Sequence, residues 1–131
     1  MPETMTIGRV AKAAGVNVET IRYYQRRGLI GEPRKPPGGH RRYSTAVLGQ
    51  INFIRRAQQL GFTLDEIGQL LELSDGGSCR ETRLIGEKRL AVIETRIAEL
   101  ERMRGELGTL IAACRKAGRG SCPLIDELSR E

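Results

Sequence analysis

From residue 90 onward, apolar side chains keep a seven-residue beat. Leu90, Ile97, Arg104 and Ile111 form one row, Ile93, Leu100, Leu107 and Cys114 a second, and the two interleave at spacings of three and four. That is a coiled-coil seam of about three and a half heptads, broken only by Arg104. A helix with one such stripe has no place to bury it within its own length, so the pattern demands a partner, and a homodimer is the simplest. A chain of 131 residues holding so long a helix has room for only one small globular unit besides.

The charge distribution assigns that unit a partner class. Residues 1–62 carry 11 Lys/Arg against 3 Asp/Glu, a net of +8, whereas residues 63–131 carry 11 against 13, a net of −2. The excess positive charge lies entirely in the first half, which favours a polyanion there, because each neutralised phosphate releases a condensed counterion.

Local signals in this half spell a winged helix-turn-helix. Thr6 caps a short helix through Val10, Ala11 and Ala14 that Gly15 stops, and Asn17 caps a second through Ile21, Arg22 and Tyr24. A tight turn at Gly15 crosses the two steeply and leaves the second helix exposing Glu19, Arg22 and Arg26, the arrangement that enters a major groove. The stretch GEPRKPPGGHRRY, residues 31–43, has too much Pro and Gly for a helix and reads as a turn loop with a short strand. It forms a wing that presents Arg34, Lys35, Arg41 and Arg42 to phosphates, with the Tyr43 ring packed beneath.

Ser44 caps a third helix reaching Leu60, with Leu48, Ile51, Ile54 and Leu60 on one face. Thr63 and Glu66 make a capping box before Leu64, Ile67, Leu70 and Leu71. Of the two adjacent tyrosines, Tyr23 is expected in the core and Tyr24 at the DNA face. The candidate DNA contacts are Asn17, Val18, Glu19, Arg22 and Tyr24 on the second helix, His40, Arg41, Arg42 and Tyr43 on the wing, and Arg55 on the third helix, the last through phosphate. The expected partition is a DNA-binding head over residues 1–73, a hinge over 74–79, a dimerisation helix over 80–117, and a loop with a short terminal helix over 118–131. The fold class is mainly α, with the winged helix-turn-helix head followed by a long helix that forms an antiparallel coiled coil.

The antiparallel sense follows from the three cysteines, Cys79, Cys114 and Cys122. Cys79 and Cys114 stand at opposite ends of the long helix, roughly 50 Å apart at ~1.5 Å per residue. A head-to-tail pair lays Cys79 of one subunit beside Cys114 and Cys122 of its partner and creates two equivalent sites per dimer. The alternative within one chain is a hairpin broken at Gly105 or Gly108, which would interrupt a continuous seam. Three thiolates without a nearby histidine select a soft or borderline cation. Zinc ordinarily takes a fourth ligand, so a three-sulfur site suits Hg(II), Pb(II) or Cd(II) better than Zn(II).

Other classes find less support. There is no phosphate loop, no acid and base pair and no nucleophile with an evident partner, so an enzyme is not expected. A redox regulator using a reversible Cys114–Cys122 disulfide remains open, and a metal buffer leaves the basic head without a purpose. No apolar stretch approaches the ~20 residues of a membrane span and no basic-then-apolar leader opens the sequence, so a cytoplasmic location with no membrane partner is expected.

These residues together resemble the MerR family of bacterial transcriptional regulators, in particular its mercury-responsive members. TIGRVAKAAGVNVETIRYYQRRGLI is similar to the family's helix-turn-helix, PPGGHRRYS to its wing, LGFTLDEIGQLLEL to the end of its DNA-binding domain, and SCPLIDEL to the C-terminal segment of mercury sensors. Cys79, Cys114 and Cys122 match the three thiolate ligands of those sensors. The spacing Cys114-x7-Cys122 departs by one residue from the C-x8-C of mercury sensors and resembles that of copper-sensing relatives, which usually lack a cysteine at the position of Cys79. The resemblance implies a dimer that holds a promoter bent and inactive without metal. Metal then moves the heads, untwists double-stranded promoter DNA and lets RNA polymerase engage both promoter elements.

Overall fold

The computed structural model describes residues 4–131. In chain order the elements are β1 (Thr4–Met5), α1 (Ile7–Ala14), α2 (Val18–Arg26), β2 (Tyr43–Ser44), α3 (Ala46–Gln59), α4 (Leu64–Ser74), α5 (Cys79–Lys116) and α6 (Pro123–Leu128). They form two compact units, one reaching Arg89 and one from Leu90 to Glu131. Among the described residues no helix is long and apolar enough to cross a membrane.

In the first unit both ends of α1 and the starts of α2 and α4 are set by the residues expected to set them. Thr6 Oγ1 accepts from the Arg9 N–H at 3.3 Å, and Gly15, at φ 70°, closes α1 in the left-handed region where only glycine is unstrained. Asn17 Oδ1 accepts from the Thr20 N–H at 2.8 Å and from its hydroxyl at 3.0 Å, which starts α2 two residues after α1 is closed. At α4 the capping box is complete: Thr63 Oγ1 accepts from the Glu66 N–H, and Glu66 Oε1 accepts from the Thr63 N–H at 2.8 Å.

The core between these helices is aliphatic, with Val10, Ile21, Ile51, Ile54 and Ile67 fully enclosed and Tyr24, Ile30 and Tyr43 at its margin. A two-stranded antiparallel sheet ties the wing to the start of the chain, with Thr4 opposite Ser44 and Met5 opposite Tyr43. Arg42 reinforces it by donating to Thr4 Oγ1 at 3.2 Å and to the Thr4 carbonyl at 3.1 Å.

Three local expectations need correction. Ser44 lies in β2 and the N-cap of α3 is Thr45, although Ser44 Oγ still accepts from the Ala46 N–H at 3.2 Å. Leu60 is 67% exposed, because α3 has ended by then and its buried stripe is Val47, Ile51, Ile54 and Ala57. The tyrosines exchange places. Tyr24 turns inward, while Tyr23 is 40% exposed under the guanidinium groups of Arg26 and Arg27 at 5.8 and 6.0 Å from its ring centre.

The second unit is built on α5, which runs unbroken through Gly105 and Gly108 and so excludes a hairpin there. No residue of α5 is buried, and Leu90, Ile97, Leu100, Leu107 and Ile111 of the heptad rows are all exposed. Beyond α5 the backbone reverses through Gly120, at φ 87°, and α6 starts with proline at its first position. Glu127 of α6 and Gly105, Glu106, Thr109 and Leu110 of α5 line one shallow groove, so the short helix lies back along the long one.

Candidate nucleic-acid interface and metal centre

The face that α2 and the wing make together is an open cleft of about 600 Å³. Arg22, Gln25 and Arg26 line it from α2, and Glu32, Lys35, His40 and Arg41 from the wing. Thr6, Ile7 and Tyr43 complete its lining. Arg22 donates to Glu19 at 3.0 Å, but the two side chains are more than half exposed, so the pair is weak and its guanidinium remains available to a base edge or phosphate. Arg41 is held in the wing by Glu32 at 3.1 Å and the Pro33 carbonyl at 3.2 Å, which fixes its direction without burying it.

Several expected contacts turn out to have structural duties. Tyr24 is buried, donates its hydroxyl to Gln58 Oε1 at 2.9 Å, and so joins α2 to α3. Burial pushes its phenol above the ordinary tyrosine value, against the opposing pull of Arg55, so it is a neutral donor at working pH. Tyr43 is buried too and accepts from Gln25 Nε2 at 2.8 Å. Asn17 spends its side-chain oxygen on the α2 cap, Val18 is half-buried against the core, and Arg42 is engaged with Thr4. Arg55 Nη1 donates to the Ala14 carbonyl at 2.9 Å, closing the end of α1 onto α3. Asn17 and Arg42 remain exposed despite these bonds, and Glu19, Arg22, His40 and Arg41 are the expected residues at the cleft or beside it that are exposed and tie no helix cap, strand or second helix together.

Gln25 went unnoticed in the sequence, yet it bridges recognition helix and wing. Its position one helical turn after Arg22 places it on the same face, and that periodicity was the available signal. Arg22→Ala is expected to weaken operator binding by about 1–3 kcal/mol and relax discrimination at one base pair. Lys35→Ala should weaken all sequences alike and lower the salt slope by about one. Fluorescence anisotropy on matched and mismatched duplexes at several salt concentrations separates the two.

The cysteines divide between the units. Cys114, in the last turn of α5, and Cys122, the N-cap of α6, bring their sulfurs to 3.9 Å, the first half-buried and the second exposed. At ~2.3 Å per metal–sulfur bond, two thiolates on one three-coordinate ion stand roughly 4.0 Å apart, so the pair is already spaced as a chelate. Cys79 is exposed at the first position of α5, where Ser78 Oγ accepts from the Glu81 N–H at 3.2 Å and caps the helix. Among the described residues of one chain, no group of three His, Cys, Asp or Glu converges.

Comparison with known proteins matches residues 5–74 to the family described as MerR HTH family regulatory protein and residues 48–110 to the one described as MerR, DNA binding. The mercuric resistance operon regulatory protein of Shigella flexneri is 50% identical over 130 residues, covering 98% of this chain and 90% of that protein. The lead(II) complex of the transcription regulator PbrR691 from Ralstonia metallidurans CH34 superposes with a TM-score of 0.83 at 34% identity, covering 95% of this chain and 99% of the other. The mercury(II) complex of the dual function regulator from Bacillus megaterium MB1 gives 0.69 at 36% identity, covering 96% and 100%.

Proposed function

Because this chain belongs to the MerR family of transcriptional regulators, a family of DNA-binding proteins and not of enzymes, we propose that it is a cytoplasmic soft-metal sensor with Hg(II) as its effector. In this reading it binds double-stranded promoter DNA as a homodimer, and Cys79 of one subunit completes a three-thiolate site with Cys114 and Cys122 of the other. The observation that carries the proposal is the 3.9 Å sulfur pair of Cys114 and Cys122, two soft donors held together with no histidine or carboxylate in the cluster. Two of the similar structures are complexes with lead(II) and mercury(II), which supports a soft-metal effector.

The residues divide the work. Arg22, His40 and Arg41 hold the promoter, while Gln25, Tyr43 and Arg42 fix the wing at the angle it needs. The exposed seam of α5 joins the two subunits. Metal has a different affinity for two dimer shapes, and the heads translate that difference into DNA deformation that lets RNA polymerase engage.

Competitive metal titration of reduced protein, followed by thiolate-to-metal absorption, tests the proposal. Two equivalents of Hg(II) per dimer that displace Pb(II), Cd(II) and Zn(II) are expected. A preference for Zn(II), or loading that is unchanged when Cys79 is absent, overturns the Hg(II) three-thiolate site. The same short sulfur separation favours a second reading, a reversible Cys114–Cys122 disulfide sensing oxidants. Non-reducing mass spectrometry of protein isolated from cells identifies it by the loss of two hydrogens in the untreated chain.

A further inference from the structure

Glu66 has a second partner besides its own helix cap. Its Oε1, which accepts from the Thr63 N–H, also receives Arg89 Nε at 3.0 Å and Arg89 Nη2 at 2.8 Å. Arg89 stands on α5, so one carboxylate oxygen closes the start of α4 and grips the long helix. Both side chains are about one-fifth exposed, at 19% and 21%, whereas every other ion pair among the described residues has both partners at 38% or more. Shielding of this kind makes a charge-assisted hydrogen bond count for more than a surface pair.

Among the described residues no other side-chain hydrogen bond or ion pair joins α5 to the head. The helix buries no residue, and its other ion pairs, Arg83–Glu87 and Arg102–Glu106, run along the helix itself. The connector between α4 and α5 is short and wrapped: the Gly77 N–H donates to the Leu73 carbonyl at 2.8 Å, and a Cβ at Gly77 would meet Leu73. Such a connector sets a direction but leaves a swivel. Arg89 lies nearly three turns beyond Cys79 on α5, and the compact unit containing the head ends at this residue.

We propose that the Glu66–Arg89 pair is the latch that makes the start of α5 and the DNA-binding head one moving body, so that a pull at Cys79 reaches the DNA. The proposal rests on the reading of Cys79 as an effector ligand. Arg89 is a positioning residue in it, touching neither metal nor DNA. Without the latch, a displacement of Cys79 dissipates in the connector and the head keeps its orientation.

The test uses the full-length dimer carrying Arg89→Ala, which leaves the Thr63–Glu66 cap in place. In metal-free protein, amide exchange across residues 74–89 is expected to rise about tenfold while α1 to α3 keep their protection. Hg(II) stoichiometry should be unchanged and operator affinity should stay within about threefold, yet metal-triggered transcription in vitro should fall about tenfold, the size of an ordinary coupling between sites. Arg89→Lys, which keeps the charge, should restore part of both the protection and the response.

Unchanged exchange with full induction overturns the latch, and so does loss of operator binding in parallel with induction, which would make the pair merely structural. If the parent protein answers no soft metal while Arg89→Ala still loosens residues 74–89, the sensing proposal fails and the mechanical joint stands.

Discussion

Replacing Cys79, Cys114 or Cys122 by alanine, one at a time, is expected to abolish metal-triggered transcription while leaving operator affinity within about twofold of the parent protein. None of the three side chains belongs to the core, so their removal opens no cavity and exposes no buried group. The proposed DNA face is the cleft between α2 and the wing, and no cysteine lines it. In the proposed three-thiolate site each substitution removes one of the soft donors, and the two that remain would not hold the ion against competing cellular thiols in the geometry proposed to favour the active dimer. Transcription in vitro and anisotropy on operator DNA, read side by side, check the split. Loss of operator binding in all three variants would show that the thiols hold the fold.

Mixing subunits locates the donors. In a heterodimer of Cys79→Ala with Cys114→Ala chains, one of the two shared sites keeps all three sulfurs, so half of the parent metal stoichiometry should return. If each chain instead made its own site, no complete site would return.

What could be read from the sequence, and what could not, follows from how far each interaction reaches. The caps at Thr6, Asn17 and Thr63 are contacts across three residues, and their chemistry is local, so the first helices and the capping box were legible. The strand β1 has two residues, too few for any alternation to show, and it exists only because Tyr43 and Ser44 return to pair with it. Which of Tyr23 and Tyr24 enters the core is decided by Gln58, a partner 34 residues away. The burial of Tyr43 was expected, but its bond to Gln25 was not.

The same rule divides the candidate sites. The basic wing and the positions of the cysteines were visible as composition and spacing, whereas the 3.9 Å approach of Cys114 and Cys122 depends on the reversal through Gly120. The grip of Arg89 on Glu66 spans 23 residues and a connector whose direction no periodicity encodes. Arg42 and Arg55 look like phosphate ligands in a basic sequence, and only their carbonyl partners at Thr4 and Ala14 reveal that they also hold the head together.

Introducing glutamate at both Ile97 and Leu100 is expected to convert the proposed dimer to monomers and to lower operator affinity about 10²- to 10⁴-fold. Both side chains are exposed on α5, at 49% and 60%, so the double variant should keep its helix content and its head intact. In an assembled seam each would instead be covered, at roughly 1.5–3 kcal/mol for a fully buried aliphatic side chain. Every substitution acts twice, once per subunit. Ile97 and Leu100 also fall near the middle of α5, so an antiparallel partner brings their copies close to one another across the twofold axis and sets carboxylate against carboxylate. The affinity loss follows from valency: one head on one half-site forfeits the effective concentration that the second contact gains from being tethered. Sedimentation velocity reports the dissociation and anisotropy on a two-half-site operator reports the affinity. A dimer that survives both charges would place the subunit contact away from this stripe, and Cys79 would then have no assured route to the partner's Cys114 and Cys122.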